Sequence, residues 1–321
     1  MSSPSQPNHA QDVSAAERSG EPFPGLTQPP LPLPLRYVIG VAVVGLWMAI
    51  GFTFNIGGAS SDASSTYLLV GVPITILFQL FANRLPVPAM WVRAATEFRL
   101  DREGIIIGVL LAIYPVVDGV QNLITHTWVA VLYCAATIVG AFGAAFALRR
   151  MRRTTWRQLV YCLATAGLIG IILTVLNPVI GVHLVHKSLP NLAIHLHLAH
   201  RLTSVGLVTG IGSFLLYVPT VFVVEEVFFR GVLDTFVYRP EDGTGAAWWG
   251  SAALVSLLWG TWHLPVYWHT EGLRALPHLW LIQGLVGIPL SIWWRKSGNL
   301  VVTGTTHALI DSVRNALGVP V

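Results

Sequence analysis

Residues 204–230 read SVGLVTGIGSFLLYVPTVFVVEEVFFR. No charge occurs from Ser204 to Val224; then come adjacent carboxylates, Glu225 and Glu226, and four residues later Arg230. A helix of about 20 apolar residues crosses a hydrocarbon layer about 30 Å thick, so the stretch predicts a spanning helix over 204–229. An ionisable side chain near the bilayer centre costs about 2.5–3.5 kcal/mol on insertion scales and needs a partner or a purpose. Arg230 lies one helical turn beyond Glu226, where an ion pair along one face is geometrically accessible. Glu225 points about 100° away from Glu226 and is left free.

The rest of the chain repeats the apolar pattern. Hydrophobic residues make up 54% of 321 positions and charged residues 11%, against roughly 25% charged in soluble domains. Spans are predicted at 36–55, 66–83, 104–121, 128–147, 158–179, 204–229, 246–263, 276–294 and 299–317. The fold class is therefore an all-α polytopic transmembrane helical bundle of about eight or nine spans. The last span is the weakest, because Asp311, Arg314 and Asn315 make its second half amphipathic. Residues 1–34 hold eight prolines among Ser, Gln and Glu, too little apolar surface to offset the ordering entropy, and are predicted to be a disordered cytoplasmic tail. Accessory helices then occupy 35–203, and residues 204–321 carry the ionisable groups.

A net charge of +4 and a pI near 9.3 would suit nucleic acid, but the arginines sit in short loops between apolar runs. With the N-terminus on the cytoplasmic side, fifteen Lys and Arg fall on inner segments, Arg230 counted among them. Three, Lys187, Arg201 and Arg274, fall on outer loops. That positive-inside asymmetry sets the orientation and accounts for the charge without a nucleic-acid partner. Cys134 and Cys162 each lie inside a predicted span and read as small core residues rather than a disulfide or thiolate site. The loop HLVHKSLPNLAIHLHLAHR (183–201) is dense in histidine but has no carboxylates, and reads as an amphipathic loop. Trp248, Trp249, Trp293 and Trp294, near span ends, suit an interfacial aromatic belt.

Two further helices carry polar groups. LVSLLWGTWHLP (254–265) ends on His263, with Trp259 four residues earlier on the same face and Pro265 limiting the helix. LVVTGTTHALIDS (300–312) carries His307 and Asp311, again four apart on one face. Two neutral imidazoles and a carboxylate can bind Zn2+, which lowers the pKa of bound water to about 7 and polarises a carbonyl; the candidate ligands are Glu225, His263 and His307. The same residues also suit a metal-free route. In it Glu225 activates water through His263, while His307 and Asp311 hold the oxyanion or its imidazole partner. Both routes lead to hydrolysis.

Glu225-Glu226-x-x-x-Arg230, Trp259-x-x-x-His263 and His307-x-x-x-Asp311 together resemble the three-motif signature of the CPBP family of intramembrane endopeptidases (CAAX proteases and bacteriocin-processing proteins, also called Abi). The resemblance covers about residues 204–317. It implies an all-helical catalytic core over 204–321, with Glu225 and His263 as the central pair and His307 and Asp311 as supporting groups or ligands. By the same resemblance Glu226 and Arg230 complete the first motif. The second motif usually begins with Phe where this chain has Trp259, and the third often ends in Asn where it has Asp311. The implied substrate is a membrane-associated peptide or lipidated protein, met in contact with membrane lipid. Two rival readings are a non-proteolytic binding or bacteriocin-immunity protein, and a proton-coupled transporter whose polar residues line a path. The few cysteines and the cytoplasmic start suit a multi-pass protein of a bacterial plasma membrane.

Overall fold

The computed structural model describes residues 31–53, 61–184 and 204–316. Most of the predicted tail and the histidine-rich loop therefore lie outside the described residues. Nine long helices are described: α1 (Leu33–Thr53), α2 (Ser61–Leu77), α3 (Arg102–Ile124), α4 (Trp128–Arg149), α5 (Arg153–Leu184), α6 (Ser204–Val221), α7 (Ala246–Trp262), α8 (Ala275–Ser297) and α9 (Leu300–Ala316). The only strand-like pairing among the described residues is an isolated bridge between Val92 and Asn299. A helix thus stands at every predicted span, and the all-α bundle is observed.

Among the described residues, five helical stretches are long and apolar enough to cross a membrane: Leu33–Thr53, Ser65–Asn83, Arg102–Ile124, Trp128–Arg149 and Gly272–Ser297. The stretch Leu207–Val221 is apolar but shorter. Helices α7 and α9 have 17 residues each, and α9 is amphipathic, as its Asp311, Arg314 and Asn315 predict. In α3 the large apolar side chains Ile105, Val109, Leu110, Ile113 and Val117 face outward, as a helix against lipid requires.

Helices in lipid gain little from apolar burial against one another, so close packing through small residues dominates their association. The chain follows that rule. A Cβ added at Gly140 would collide with the Pro219 carbonyl, one at Gly143 with the Trp91 indole, and one at Gly304 with the Phe222 ring. Gly140 and Gly304 let α4 and α9 close on the end of α6, and Gly143 seats Trp91 against α4. A single hydrophobic cluster runs from Val44 and Trp47 of α1 to Ile310 of α9, so helices from 35–203 pack directly on the C-terminal unit.

One predicted span is not a continuous helix. α6 stops at Val221, residues 222–224 form a turn, and the helix restarts at Glu225. Pro219, inside the last turn of α6, lacks an N–H and crowds the carbonyl one turn back. The Phe222 carbonyl is then captured by the Trp91 indole N–H at 2.9 Å. After the restart the helix widens to π geometry over Val227–Asp234 before a last α turn, Thr235–Val237. Gly231 within it lies against the Met90 carbonyl, where any Cβ would clash. Short π segments cluster at functional sites because they re-aim side chains.

Arginines gather at one end of the bundle. Arg36 is buried, bonded to the Phe236 and Val237 carbonyls at 3.3 and 3.2 Å and paired with Asp242. Arg295 grips Asp234 through two bonds of 2.9 and 2.6 Å, and Arg93 donates to the Arg295 and Trp294 carbonyls. Arg230 is not among them: it is fully buried within the bundle, so the inner count falls to fourteen against three. Trp294 also departs from the belt reading. It is buried and donates to the Thr235 hydroxyl at 3.1 Å, while Trp249 does face outward. Cys134 and Cys162 are buried and free, as small core residues should be.

Candidate active site

The helix restarts at Glu225 after the turn at 222–224, and the roughly 100° between adjacent helical positions sends the two glutamates to different neighbours. Glu226 turns toward α9: its Oε1 lies 3.1 Å from His307 Nδ1, and its Oε2 lies 3.7 Å from Arg230 Nε. The pair expected between Glu226 and Arg230 is present, with both side chains 0% exposed. Glu225 turns toward α7 and is not free. Its Oε2 accepts a hydrogen bond from the Trp259 indole N–H at 3.1 Å and stands 3.9 Å from His263 Nε2.

His263 caps the C-terminal end of α7. Its Nδ1 lies 2.8 Å from the Trp259 carbonyl, one turn back, as the four-residue spacing predicts. A carbonyl only accepts, so Nδ1 carries the proton, and in the neutral ring Nε2 keeps its lone pair. Helices from outside the C-terminal unit hold this helix end in place. The Tyr67 hydroxyl donates to the Trp262 carbonyl at 2.8 Å, and the two rings stack at 5.1 Å. Trp47 sets its edge against Trp262 and Phe228 at 5.1 and 5.2 Å.

His307 is engaged at both ring nitrogens. Nδ1 faces Glu226, and Nε2 lies 3.3 Å from Asp311 Oδ2. Two carboxylate acceptors on one ring describe a doubly protonated imidazole. Asp311 also pairs through Oδ1 with Arg314 at 3.1 Å, so the pairing with His307 and the pairing with Arg314 coexist. With His307 charged, Glu225, Glu226 and Asp311 balance Arg230, Arg314 and His307. Such neutrality is what a low-dielectric interior demands of buried ions.

Arg230 sits beneath this layer with its guanidinium 4.9 Å over the Trp259 ring. Among the described residues none of its three guanidinium nitrogens makes a hydrogen bond. Gly287 makes room for it: a Cβ there would stand 2.7 Å from Ser256 Oγ and 3.2 Å from Arg230 Nη2. The site is layered. Glu225 and His263 keep 16% and 19% of their side chains exposed, while Glu226, Arg230 and His307 are packed behind them.

The sequence motifs thus converge, but the three-ligand set Glu225, His263 and His307 does not assemble. Both nitrogens of His307 point at carboxylates, leaving only the Glu225 carboxylate and His263 Nε2 as open donors. Among the described residues no group of three or more His, Cys, Asp or Glu is arranged to hold a metal ion. The donors as placed do not fit a zinc site.

Residues 207–313 match a family model described as type II CAAX prenyl endopeptidase Rce1-like. This segment is similar to the Rce1-like family. No curated protein and no solved structure matches the chain. The Rce1-like segment begins in α6 and ends in α9, so it holds the whole of Glu225, Glu226, Arg230, His263, His307 and Asp311, and the CPBP resemblance stands. At the level of the family, the Rce1-like match carries an endopeptidase of the membrane. α1 to α5, with Trp47 and Tyr67 among their residues, and the connection between α2 and α3 that carries Trp91 lie outside the matched range. The support of α7 by Trp47 and Tyr67 escapes motif reading, because a Trp or Tyr in an apolar run looks like any other span residue, and Trp91, which bonds the turn at 222–224, lies between predicted spans with no motif around it.

Proposed function

We propose that the chain is an intramembrane endopeptidase that hydrolyses a peptide bond of a membrane-associated peptide or lipidated protein, with water activated between Glu225 and His263. The observation that supports this most directly is the 3.9 Å between Glu225 Oε2 and His263 Nε2, both of them acceptors. One water can bridge that gap by giving a hydrogen to each, which turns its oxygen lone pairs toward a substrate carbonyl.

As the water oxygen bonds to the carbonyl carbon, its proton passes to Glu225, with His263 Nε2 holding the second hydrogen. The tetrahedral intermediate then collapses, the C–N bond breaks, and the proton on Glu225 goes to the leaving amine. General acid–base transfer of this kind contributes about 10²–10⁴-fold. His307, between Glu226 and Asp311, fixes the second layer behind Glu225. No step requires a metal, in keeping with the two open donors.

In this reading the arginine-rich end of the bundle faces the cytoplasm, as does the N-terminus, in a multi-pass protein of a bacterial plasma membrane. The test of function is cleavage of a fluorogenic membrane peptide in detergent or liposomes. Glu225→Ala, His263→Ala and His307→Ala should each abolish it while the first two leave expression and folding intact. Full activity in Glu225→Ala refutes the proposal. A phenotype that survives these variants and is lost on changes to residues packed around the site identifies a binding protein, and substrate-driven pH change in proteoliposomes a transporter.

A further inference from the structure

Trp259 touches every charged layer of the site. Its indole N–H donates to Glu225 Oε2 at 3.1 Å. Its carbonyl receives His263 Nδ1 at 2.8 Å. Its ring meets the His307 ring at 5.0 Å, nearly edge-on, and lies under the Arg230 guanidinium at 4.9 Å. The residue is 2% exposed, so its side of each contact is sheltered from bulk solvent.

The geometry points to Trp259 as a positioning residue for the hydrolysis proposed above: its indole N–H holds the Glu225 carboxylate in the rotamer that faces His263 Nε2. This rests on that functional reading and adds to it a specific donor. A glutamate has freedom about three side-chain torsions, and the alternative for Glu225 is to swing toward the Arg230 and His307 charges behind it. One N–H from a ring too large to rotate in its packing removes that freedom. A phenylalanine at 259 would keep the ring contacts with Arg230 and His307 but has no donor, so this chain fixes its carboxylate by a bond that a phenyl ring cannot make. The role is one of orientation, since Trp259 reaches the reacting atoms only through Glu225.

Two replacements at 259 separate the bond from the shape. Phenylalanine removes the N–H and part of the ring; 3-benzothienylalanine, introduced by nonsense suppression, keeps the bicyclic outline and replaces N–H with sulfur. On a fluorogenic membrane peptide cleaved by the wild-type protein, both should lower kcat by about 10- to 100-fold, the usual penalty for losing an orienting outer-shell partner. KM should stay within about twofold. Full kcat in the benzothienyl protein overturns the inference, because packing alone then suffices, and so does a loss carried mainly by KM.

A second measurement needs no cleavage and therefore stands even if the functional reading fails. Melting temperatures of Trp259→Phe, Glu225→Leu and the double variant form a cycle. A double variant that melts above the sum of the two single losses reports the bond; additive losses overturn it. Wild-type protein that cleaves nothing, with non-additive melting, would remove the peptidase proposal and keep the Trp259–Glu225 pair.

Discussion

His307 and Glu226 meet at 3.1 Å although 81 positions separate them in the chain, and that contact joins the first and third motifs. It is made by the second glutamate of the pair, whereas the first serves His263. Adjacent residues of one chemical type therefore do different work. Glu226 belongs to a buried ionic layer with Arg230, His307 and Asp311, and Glu225 to the partly exposed edge of the site with His263.

That division predicts opposite phenotypes from the same substitution. Glu225→Gln should melt near the wild-type temperature and show no cleavage. Glu226→Gln should unfold earlier, since it leaves Arg230 and His307 buried with one counter-charge fewer, a change worth about 3–5 kcal/mol when a buried pair is broken. Thermal unfolding in detergent, run beside the cleavage assay, separates the two. Equal melting temperatures would contradict the layering.

Gly287 should tolerate no side chain. Valine there must displace Ser256 and the Arg230 guanidinium, since even a bare Cβ would stand 2.7 Å from Ser256 Oγ. Overpacking of this kind costs about 1–3 kcal/mol. Gly284, on the same helix with open space around it, provides the control: Gly284→Ala should leave the melting temperature and activity near wild type.

Metal content follows from the donor geometry. Purified wild-type protein should carry zinc well below one ion per chain and keep its activity in the presence of a chelator. Elemental analysis beside His307→Ala decides it. Stoichiometric zinc that disappears in that variant would mean that His307 turns from its carboxylates to complete a ligand set with Glu225 and His263.

One pH effect is predicted outside the spans. Asp101 caps the N-terminus of α3 by accepting from the Gly104 N–H at 2.8 Å, and the Arg149 hydrogen bonds hold its pKa below the ordinary carboxylate value. A carboxyl group whose folded pKa is depressed adds stability above its unfolded pKa, about 3.9. That stability is lost as pH falls through the lower, folded value. Asp101→Asn should therefore melt below the wild type at pH 6–8, and the two should converge under strong acid. A difference that persists at pH 2 would show that the cap is worth more than the charge.

Much of the site was legible because its pairs are local. His307 with Asp311, Trp259 with His263, and Glu226 with Arg230 are each four apart, and helical periodicity alone puts such residues on one face. The observed contacts are 3.3 Å between the side chains of the first pair, 2.8 Å through the Trp259 carbonyl in the second and 3.7 Å in the third. The membrane class was equally legible, since it follows from runs of uncharged residues. The metal triad was inferred from residue types, and types do not say which way a ring nitrogen points.

The sequence by itself determined that this is a bundle of membrane helices, that three of them carry a carboxylate, an imidazole, and an imidazole with a carboxylate, and that those motifs are of the CPBP kind. Tertiary structure alone decided that Glu225 faces His263 while Glu226 faces His307, that Arg230 is buried, and that an indole from α7 holds the outer glutamate. The reason is angular. Periodicity fixes where a side chain lies around its own helix axis, but a turn at 222–224 and a π-widened helix reset that angle, and only the neighbouring helices determine what waits on each side.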